Sequence, residues 1–405
     1  EGLTPEMDAL AEEGLVFRRA YTPTPHTSYA LSSMLTGKYL REVLELPDAP
    51  EAHPALPELL RRYGYRTAAF YPPAIFFVDG HRFAALEQGG FGFEYRKKMF
   101  ASAGLRVAQL ERYLREVEPG HPLFVWVHLF EPHEPYDPPE GFARGDSTEA
   151  RYDGEVAAAD AAIGDLVRAF REARPDATII LTADHGEEFG DHGGYYHGTT
   201  LYDEQVRVPL VWSSPEEVPP GETDVPVELL DVATTLLAAV GIPRDARMRG
   251  DDLGPVLRGD AREPGQPGAP EAAFAAIGDE RMVVDGRYKL ICAPTGCRLF
   301  DLEADPVERR NLAGEEPRRV EHLRGTLSGL LESIPRVEAM AMGAGRAWPE
   351  ALARAELGDA TAADAVVPLL GDERAEVRAA AARVLGQLAH APAEVALARL
   401  RSDAD

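Results

Sequence analysis

Residues 178–187 read TIILTADHGE and decide the fold class of this chain. A run of β-branched and apolar residues ends in Asp184-His185-Gly186, so a buried strand would deliver a carboxylate and an imidazole at its carboxyl end. Ligands of open α/β sheets bind beyond the carboxyl ends of the strands. Because carboxylate oxygen and imidazole nitrogen suit a divalent cation, we interpret this strand end as half of a metal site. The alternative is a capped loop after a core strand.

Two more apolar runs, residues 67–71 and 123–127, also predict buried parallel strands. Helical patterns lie between the strands, and the clearest is residues 152–170, where apolar side chains recur at intervals of three and four. Residues 27–37 predict a further helix, which Gly37 closes. This alternation predicts an α/β domain with a mostly parallel sheet that helices cover on both faces.

The pattern changes to short strands with tight turns at about residues 270–315. Two short strands around Asp285-Gly286 predict a hairpin, and hence a small antiparallel subdomain. Cys292 and Cys297 also fall in this part, without companion ligands, so they are a weak signal for zinc. A pair of free thiols and one cross-strand disulfide both remain open.

The domain organisation follows from these changes in composition. Residues 1–335 form the predicted main domain, and residues 336–349 predict a linker. Residues 350–405 are rich in Ala and Leu, and with a break at Gly371-Asp372 between two helical runs they resemble HEAT repeats. Such solenoids need about three units to bury their faces, so the chain is expected to continue beyond its last residue. The α-helical tail is a candidate surface for a protein partner.

The charge of the chain limits its partners. It carries 42 Lys and Arg against 68 Asp and Glu, a formal net charge of −26. Such a field repels nucleic acid and anionic lipid, so no nucleic-acid partner is expected. A site for an anionic substrate therefore needs local positive charge, which a divalent cation supplies. No apolar run reaches the ~18 residues that span a bilayer.

Histidines cluster after the predicted strands. His192 and His197 lie in one Gly-rich loop after a predicted buried strand. Ordering a flexible glycine backbone costs conformational entropy, so a loop of this kind suggests a functional site. His133 stands in residues 131–139, where prolines on both sides stiffen the loop. His128 lies within its strand and is interpreted as a core residue.

Five blocks of sequence, in order, resemble the sulfatase family of the alkaline phosphatase superfamily. The blocks are residues 4–11 with 35–37, 132–136, 184–186, 201–209 and 299–312. The resemblance covers roughly residues 4–330 and implies a sulfatase-like α/β fold for the predicted main domain.

The resemblance also implies a metal site. Asp184 and His185 match metal ligands that follow a central strand. Thr27, ten residues before Gly37, matches the nucleophile, which also contacts the metal. One divalent ion is therefore expected, and Ca, Mg, Mn and Zn remain open. Coordination of the hydroxyl is one way to make a poor nucleophile reactive at neutral pH.

The resemblance assigns roles to two of three histidines and leaves the third without a counterpart. His133 matches the residue that contacts the anionic oxygens of the substrate. His197 stands where the family places a Lys or His that helps the leaving group. His192 has no counterpart, so a loop-structuring role and a catalytic one both stay open.

The chain departs from the family pattern in two places. Sulfatases typically carry a Cys or Ser that is oxidised to formylglycine, followed by Pro and Arg, whereas these positions hold Thr27, Tyr29 and Leu31. Because Thr does not yield formylglycine, that cofactor is not expected, and the chain resembles relatives that use Thr directly. The family's first strand, which ends in a ligating Asp, precedes the helix at which this sequence starts. The resemblance therefore places that ligand upstream of Glu1.

Three functions are compatible with these features. The first is a metal-dependent hydrolase of sulfuric or phosphoric esters, in small molecules or linked to glycan or lipid. The second is a phosphotransferase that moves a substituted phosphate to an acceptor alcohol. The third is a degenerate relative that acts through its HEAT-like tail. A sulfated Thr must be attacked again by water, which favours a phosphoryl substrate. Family analogy places the protein outside the cytoplasm, in the periplasm, secreted or tethered to a membrane.

Overall fold

The computed structural model describes residues 2–39, 54–76, 90–215, 217–333, 351–352 and 363–372, with a few positions between 374 and 385. The chain divides into two compact units, residues 1–335 and 336–405. The predicted linker, residues 336–349, lies outside the described residues, as does most of the predicted HEAT-like tail. The second unit contains a helix, Ala363–Val366, that continues as a 3₁₀ turn, Val367–Gly371. The HEAT-like repeat remains a prediction.

The first unit alternates helices and strands along most of its length. Its described helices are α1 (Pro5–Glu13), α2 (Thr27–Thr36), α3 (Leu56–Arg62), α4 (Ala103–Glu116), α5 (Thr148–Ala173), α6 (Asp203–Val206), α7 (Leu230–Ala239), α8 (Gly254–Leu257) and α9 (Pro317–Ser333). Its described strands are β1 (Leu15–Phe17), β2 (Ala20–Tyr21), β3 (Arg66–Tyr71), β4 (Tyr95–Lys98), β5 (Leu123–Val127), β6 (Ile179–Thr182), β7 (Glu188–Phe189), β8 (Tyr195–Tyr196), β9 (Arg207–Val208), β10 (Leu210–Ser213), β11 (Gly221–Thr223), β12 (Val227–Glu228), β13 (Ala272–Ile277), β14 (Glu280–Asp285), β15 (Tyr288–Ala293) and β16 (Gly296–Asp301).

The sheets of this unit are mixed. Strand β3 pairs in parallel with β4 and with β5, as the apolar runs predict. Strand β6 instead pairs antiparallel with β10, and β10 pairs antiparallel with β1, which has β11 in parallel on its other side. The predicted α/β class and the predicted helices around Thr27 and Tyr152 are confirmed. None of the described helices combines the length and hydropathy needed to cross a membrane.

The largest buried cluster packs the sheet of β1 and β10 against α2. Leu15 and Phe17 of β1 and Trp212 of β10 are buried against Leu31 and Leu35 of α2. Burying side chains of this size contributes about 1.5–3 kcal/mol each. This packing fixes the axis of α2, and therefore the position of the residue at its N-terminus.

Strands β5 and β6 are edge strands of two different sheets, and both line one cavity of about 1540 Å³. Every residue of both strands lines it, together with the apolar stripe of α5. The two strands are therefore half-buried, although their apolar sequences predict complete burial. The cavity extends to the carboxyl ends of the strands, where Thr27, Asp184 and His185 also line it.

The predicted antiparallel subdomain is confirmed as a meander of β13, β14, β15 and β16. Asp285 pairs with Tyr288, so Gly286-Arg287 forms the turn, one residue later than predicted. Gly286 has φ 55°, a conformation that glycine adopts without steric cost. Cys292 and Cys297 face each other across β15 and β16 and form a disulfide, which settles the two alternatives for these residues.

Candidate active site

Thr27 is the first residue of α2, and its side chain lines the cavity. The preceding His26 is extended, and the helix ends as predicted at Gly37, which has φ 64°. The N-terminus of a helix carries a partial positive charge from its unpaired N–H groups, which stabilises an anion within the first turn. The Thr27 hydroxyl therefore lies where negative charge on its oxygen is favoured.

Asp184 and His185 follow β6 and meet Thr27. Thr27 Oγ1 lies 2.9 Å from His185 Nε2. His185 Nδ1 donates to the carbonyl oxygen of Gly186 at 2.9 Å, so in the neutral ring Nε2 carries the free lone pair. Asp184 Oδ2 is buried, accepts no hydrogen bond from a described residue, and lies 3.5 Å from His185 Nε2.

This donor set fits a divalent cation. An oriented imidazole lone pair, an orphaned carboxylate oxygen and a hydroxyl oxygen converge at the end of one strand. An unpaired buried carboxylate oxygen costs free energy unless something compensates it, and a cation would do so.

Gly186 is required by the close approach of two backbone segments. Its N–H donates to the carbonyl oxygen of Gln205 at 2.9 Å. A Cβ at this position would lie 2.1 Å from the carbonyl oxygen of Glu204, which is much closer than van der Waals contact. The glycine of the Asp-His-Gly triplet therefore holds the strand end against the segment before β9.

The charges around Asp184 keep it ionised. Burial raises the pKa of its carboxyl, but the charges of the neighbouring His185 and His128 oppose burial, and the pKa lies below its ordinary value. Burial lowers the pKa of His128, with Asp184 opposing the shift. His128, interpreted from the sequence as a core residue, thus lines the cavity beside a site residue.

His197 stacks on His185, with ring centroids 4.1 Å apart and planes at 30°. Its Nδ1 lies 3.1 Å from Glu187 Oε1. Burial lowers the pKa of His197, but the hydrogen bond and the charge of Glu187 outweigh burial, so the pKa is raised above its ordinary value. One oxygen each of Glu134 and Glu187 and a nitrogen of His197 lie within 4.8 Å of one another.

His133 lies on the far side of His197, with ring centroids 5.9 Å apart. Its loop is anchored by Glu155 of α5, whose two carboxylate oxygens accept from the N–H groups of His133 at 3.0 Å and Asp137 at 2.6 Å. The His133 ring stacks on Phe130 at 4.4 Å, and its Nδ1 donates to the carbonyl oxygen of Glu134 at 2.9 Å. The Nε2 atom remains for a ligand.

His192 lies in the same loop as His197 but is engaged on both ring nitrogens. Nδ1 lies 2.5 Å from Glu204 Oε1, and Nε2 lies 3.3 Å from the carbonyl oxygen of Glu308. Its ring stacks on Tyr202 with centroids 3.5 Å apart. Of the two roles left open by the sequence, this geometry supports the structural one.

The structure thus brings the sequence-predicted candidates together: Thr27, His133, Asp184 and His185 line the cavity, and His197 contacts the rings of His185 and His133. Sequence reasoning missed Glu155 and Glu187, which hold the two histidine loops. Glu187 directly follows the Asp-His-Gly triplet, a position that was a usable signal. Nothing in the local sequence around Glu155, in the middle of α5, marks it as a loop anchor.

Two family models match the chain: the sulfatase model over residues 2–242 and a model of the C-terminal part of N-sulphoglucosamine sulphohydrolase over residues 190–334. Choline-sulfatase of Rhizobium meliloti is 33% identical over 41% of this chain and 33% of that protein. Arylsulfatase K of Xenopus laevis is 26% identical over 47% of this chain and 38% of that protein. The chain therefore spans less than two fifths of these relatives. An ulvan-active sulfatase of Formosa agariphila is 24% identical over 77% of this chain and 72% of that protein.

Solved structures share the fold. One, solved in complex with its substrate D-glucosamine-2-N,6-O-disulfate, has a TM-score of 0.69 at 17% identity and covers 83% of this chain and 94% of that one. A phosphonate monoester hydrolase of Silicibacter pomeroyi has a TM-score of 0.65 at 20% identity, over 84% of this chain and 92% of that one. Since the sulfatase model matches more than half of the sequence, the chain belongs to the sulfatase family.

Proposed function

We propose that this chain carries the active site of a sulfuric ester hydrolase that uses Thr27 as its nucleophile. The observation that carries the proposal is the contact of the Thr27 hydroxyl with His185 Nε2, beside the orphaned Asp184 oxygen and at the N-terminus of α2. The relatives named as sulfatases support a sulfuric ester over the phosphoryl substrate that the Thr nucleophile alone favours.

A divalent cation would be held by Thr27 Oγ1, Asp184 Oδ2 and His185 Nε2. When bound, it supplies positive charge that makes the hydroxyl more acidic and neutralises the oxygens of the ester. Two charged side chains nearby, Glu134 and Glu187, are acidic, so a cation also offsets their repulsion of an anionic substrate. The identity of the ion remains open among Ca, Mg, Mn and Zn.

The proposed first step transfers the sulfuryl group to the protein. Thr27 Oγ1, whose proton has passed to solvent, attacks sulfur, a new S–O bond forms to Thr27, and the S–O bond to the alcohol breaks. The N-terminus of α2 stabilises the charge on the attacking oxygen, and His133, in its doubly protonated form, donates from Nε2 to an oxygen of the sulfuryl group. His197, with Nδ1 held by Glu187, gives the proton on Nε2 to the departing alcohol oxygen.

The second step releases sulfate. Water attacks the sulfur of sulfated Thr27, the S–O bond to Thr27 breaks, and Thr27 Oγ1 leaves in the deprotonated form in which it began the first step. His197, now unprotonated at Nε2, takes a proton from the attacking water, so the ring returns to its starting state. The sum is one ester and one water converted to one alcohol and one sulfate.

The alcohol part of the substrate is proposed to be a sugar. A structural neighbour was solved with a glucosamine disulfate as its substrate. In this chain Phe100 is 59% exposed and packs edge-on against Phe130, which stacks on His133. Tyr195 and Tyr196, just before His197, are 63% and 51% exposed. Exposed aromatic rings on both sides of the histidines provide flat apolar faces against which a sugar ring can stack.

The test is a turnover screen with a sulfate ester, a phosphate monoester and a phosphate diester, on the full-length protein supplied with each candidate metal. We expect the sulfate ester to turn over fastest. Thr27→Ala should lose at least about 10³-fold in kcat/KM, whereas Thr27→Ser should keep part of it. Ser28→Ala is the matched control, because the neighbouring Ser28 hydroxyl donates to the carbonyl oxygen of Ile75.

A preference for a phosphoryl ester would identify a phosphoric ester hydrolase on the same site, in line with the phosphonate monoester hydrolase among the structural neighbours. A rate that depends on an added acceptor alcohol would identify a phosphotransferase. Unchanged turnover in folded Thr27→Ala would exclude Thr27 as the nucleophile.

A further inference from the structure

We propose that Glu187 is a positioning residue that fixes the orientation of His197 over His185 and Thr27. The inference deepens the proposed function and rests on it. It assigns to Glu187 no contact with the substrate. Glu187 acts through the imidazole ring of His197. It holds Nδ1 of that ring and so keeps Nε2 directed to the substrate.

The ring of His197 is held from two directions. Its face stacks on His185 at 4.1 Å, which in turn contacts Thr27. Its Nδ1 is held by Glu187 Oε1 at 3.1 Å. A stacked ring can still flip by about 180° around its Cβ–Cγ bond, which exchanges Nδ1 with Cδ2 and Nε2 with Cε1. The carboxylate prevents this exchange, because it accepts only from a protonated nitrogen and holds that proton on Nδ1.

Glu187 is itself held in one place. Its side chain is 6% exposed, whereas that of His197 is 17% exposed. Tyr136, Tyr152 and Phe189 form a cluster of aromatic rings, with Tyr152 and Phe189 centroids 4.9 Å apart and Tyr136 and Tyr152 centroids 5.7 Å apart. Burial and then the charge of Glu187 raise the pKa of Tyr152 to about 12. This tyrosine therefore stays neutral and supplies no positive charge to Glu187.

Glu134 lies close enough to compete for His197, but its Oε2 makes no hydrogen bond to a described residue. Its carboxylate lies 3.1 Å from His133 Nδ1, and its side chain is 44% exposed, so it is more hydrated than that of Glu187. Among the described residues, the carboxylate that is hydrogen-bonded to His197 is that of Glu187.

The proposal predicts a dependence on the leaving group. An alkyl or sugar alcohol is a poor leaving group and needs a proton from His197, whereas para-nitrophenolate leaves without one. Loss of Glu187 should therefore slow the hydrolysis of an alkyl sulfate much more than that of para-nitrophenyl sulfate. A residue that only stabilised the fold would slow both esters equally.

The experiment measures kcat/KM for both esters in the full-length wild type and in Glu187→Ala, Glu187→Gln and His197→Gln. In Glu187→Ala the value for the alkyl ester should fall about 10–100-fold more than the value for the aryl ester. Glu187→Gln should lose less, because its amide oxygen still accepts from Nδ1–H. In the His197→Gln background, Glu187→Ala should change the ratio of the two values no further.

The matched control is Glu204→Gln, the same chemical change in the carboxylate that holds His192. It should leave the ratio of the two esters as in the wild type. An equal loss for both esters in folded Glu187→Ala, or a further change of the ratio when His197 is already absent, would overturn the proposal. So would loss of a bound metal ion in Glu187→Gln, which would make Glu187 a ligand. No turnover of either ester by wild type would instead remove the proposed function.

Discussion

Two histidine–glutamate pairs lie in the segment after β6, which runs from Glu187 to Glu204 and includes the start of α6. In one pair, Glu187 holds Nδ1 of His197, and the ring stacks on His185 of the site. In the other pair, Glu204 holds Nδ1 of His192, and the carbonyl oxygen of Glu308 takes the second nitrogen. A histidine–glutamate pair thus has a different role in each case. The difference is that Nε2 of His192 has a backbone partner, whereas Nε2 of His197 is proposed to face the substrate.

The C-terminal part of this segment, at Asp203, is connected to the antiparallel subdomain by a buried ion pair with Lys289. Lys289 of β15 is fully buried, and its Nζ lies 2.7 Å from Asp203 and 2.9 Å from Glu308. The backbone carbonyl oxygen of the same Glu308 lies 3.3 Å from His192 Nε2. The antiparallel subdomain therefore supports the part of this segment that contains His192. The part that contains His197 instead faces the candidate active site.

The largest expected effect separates the two histidines in activity. His197→Gln should lower kcat/KM for an alkyl sulfate by about 10²–10⁴-fold, because it removes the proposed acid. His192→Gln should leave kcat/KM per folded molecule nearly unchanged. Steady-state kinetics on both variants, with folding checked by circular dichroism, measures the difference. Similar losses in the two variants would remove the distinction between the pairs.

The next largest effect is expected on stability, when the buried ion pairs of Lys289 are removed. Lys289→Met should lower the free energy of unfolding by roughly 3–5 kcal/mol, because it leaves two buried carboxylates uncompensated. The exposed Lys97→Met is the control and should change it by no more than about 0.5 kcal/mol. Denaturant unfolding measures both. Equal stability of the two variants would show that the buried charges do not support the loop.

A smaller effect is expected for the structural histidine itself. His192→Gln should lower the free energy of unfolding by about 1–3 kcal/mol, since Glu204 and the carbonyl oxygen of Glu308 lose a shared donor. His197→Gln should cost less, because its Nε2 has no such structural contact. Thermal unfolding of the two variants side by side gives the order, and the reverse order would contradict this comparison.

The smallest effect is one of pH. Glu187 raises the pKa of His197 in the folded state, so the stability from this pair is fully present below the unfolded pKa of about 6.5 and is lost as the pH rises through the folded pKa. Glu187→Gln should therefore destabilise the protein more at about pH 5.5 than at about pH 9. Denaturant unfolding at both pH values measures this. A destabilisation that grows with pH would show that the pair is not charged in the folded state.

Local motifs made much of the site predictable. Asp184 and His185 are neighbours in sequence at the end of a recognisable strand, and His133 is marked by flanking prolines. The pairing of His197 with Glu187, and not with Glu204, could not be predicted, because both carboxylates lie within ten residues of it. Only the packing of the loop between the cavity and the subdomain selects the partner.

Strand neighbours were harder to predict than strands. The apolar sequence of β6 is equally suited to a parallel and an antiparallel partner, and its pairing with β10 depends on residues about thirty positions away. The turn at Gly286-Arg287 differed from the prediction because two-residue turns of several types accept glycine.

The central claim is that the hydroxyl of Thr27 forms a covalent bond to the transferred group. Quenching the wild-type protein during turnover of a sulfate ester, followed by peptide mass spectrometry, tests it most directly. We predict one added sulfuryl group on the peptide that contains Thr27, and none on that peptide in Thr27→Ala. A modified residue elsewhere, or turnover that persists in Thr27→Ala, would contradict the claim.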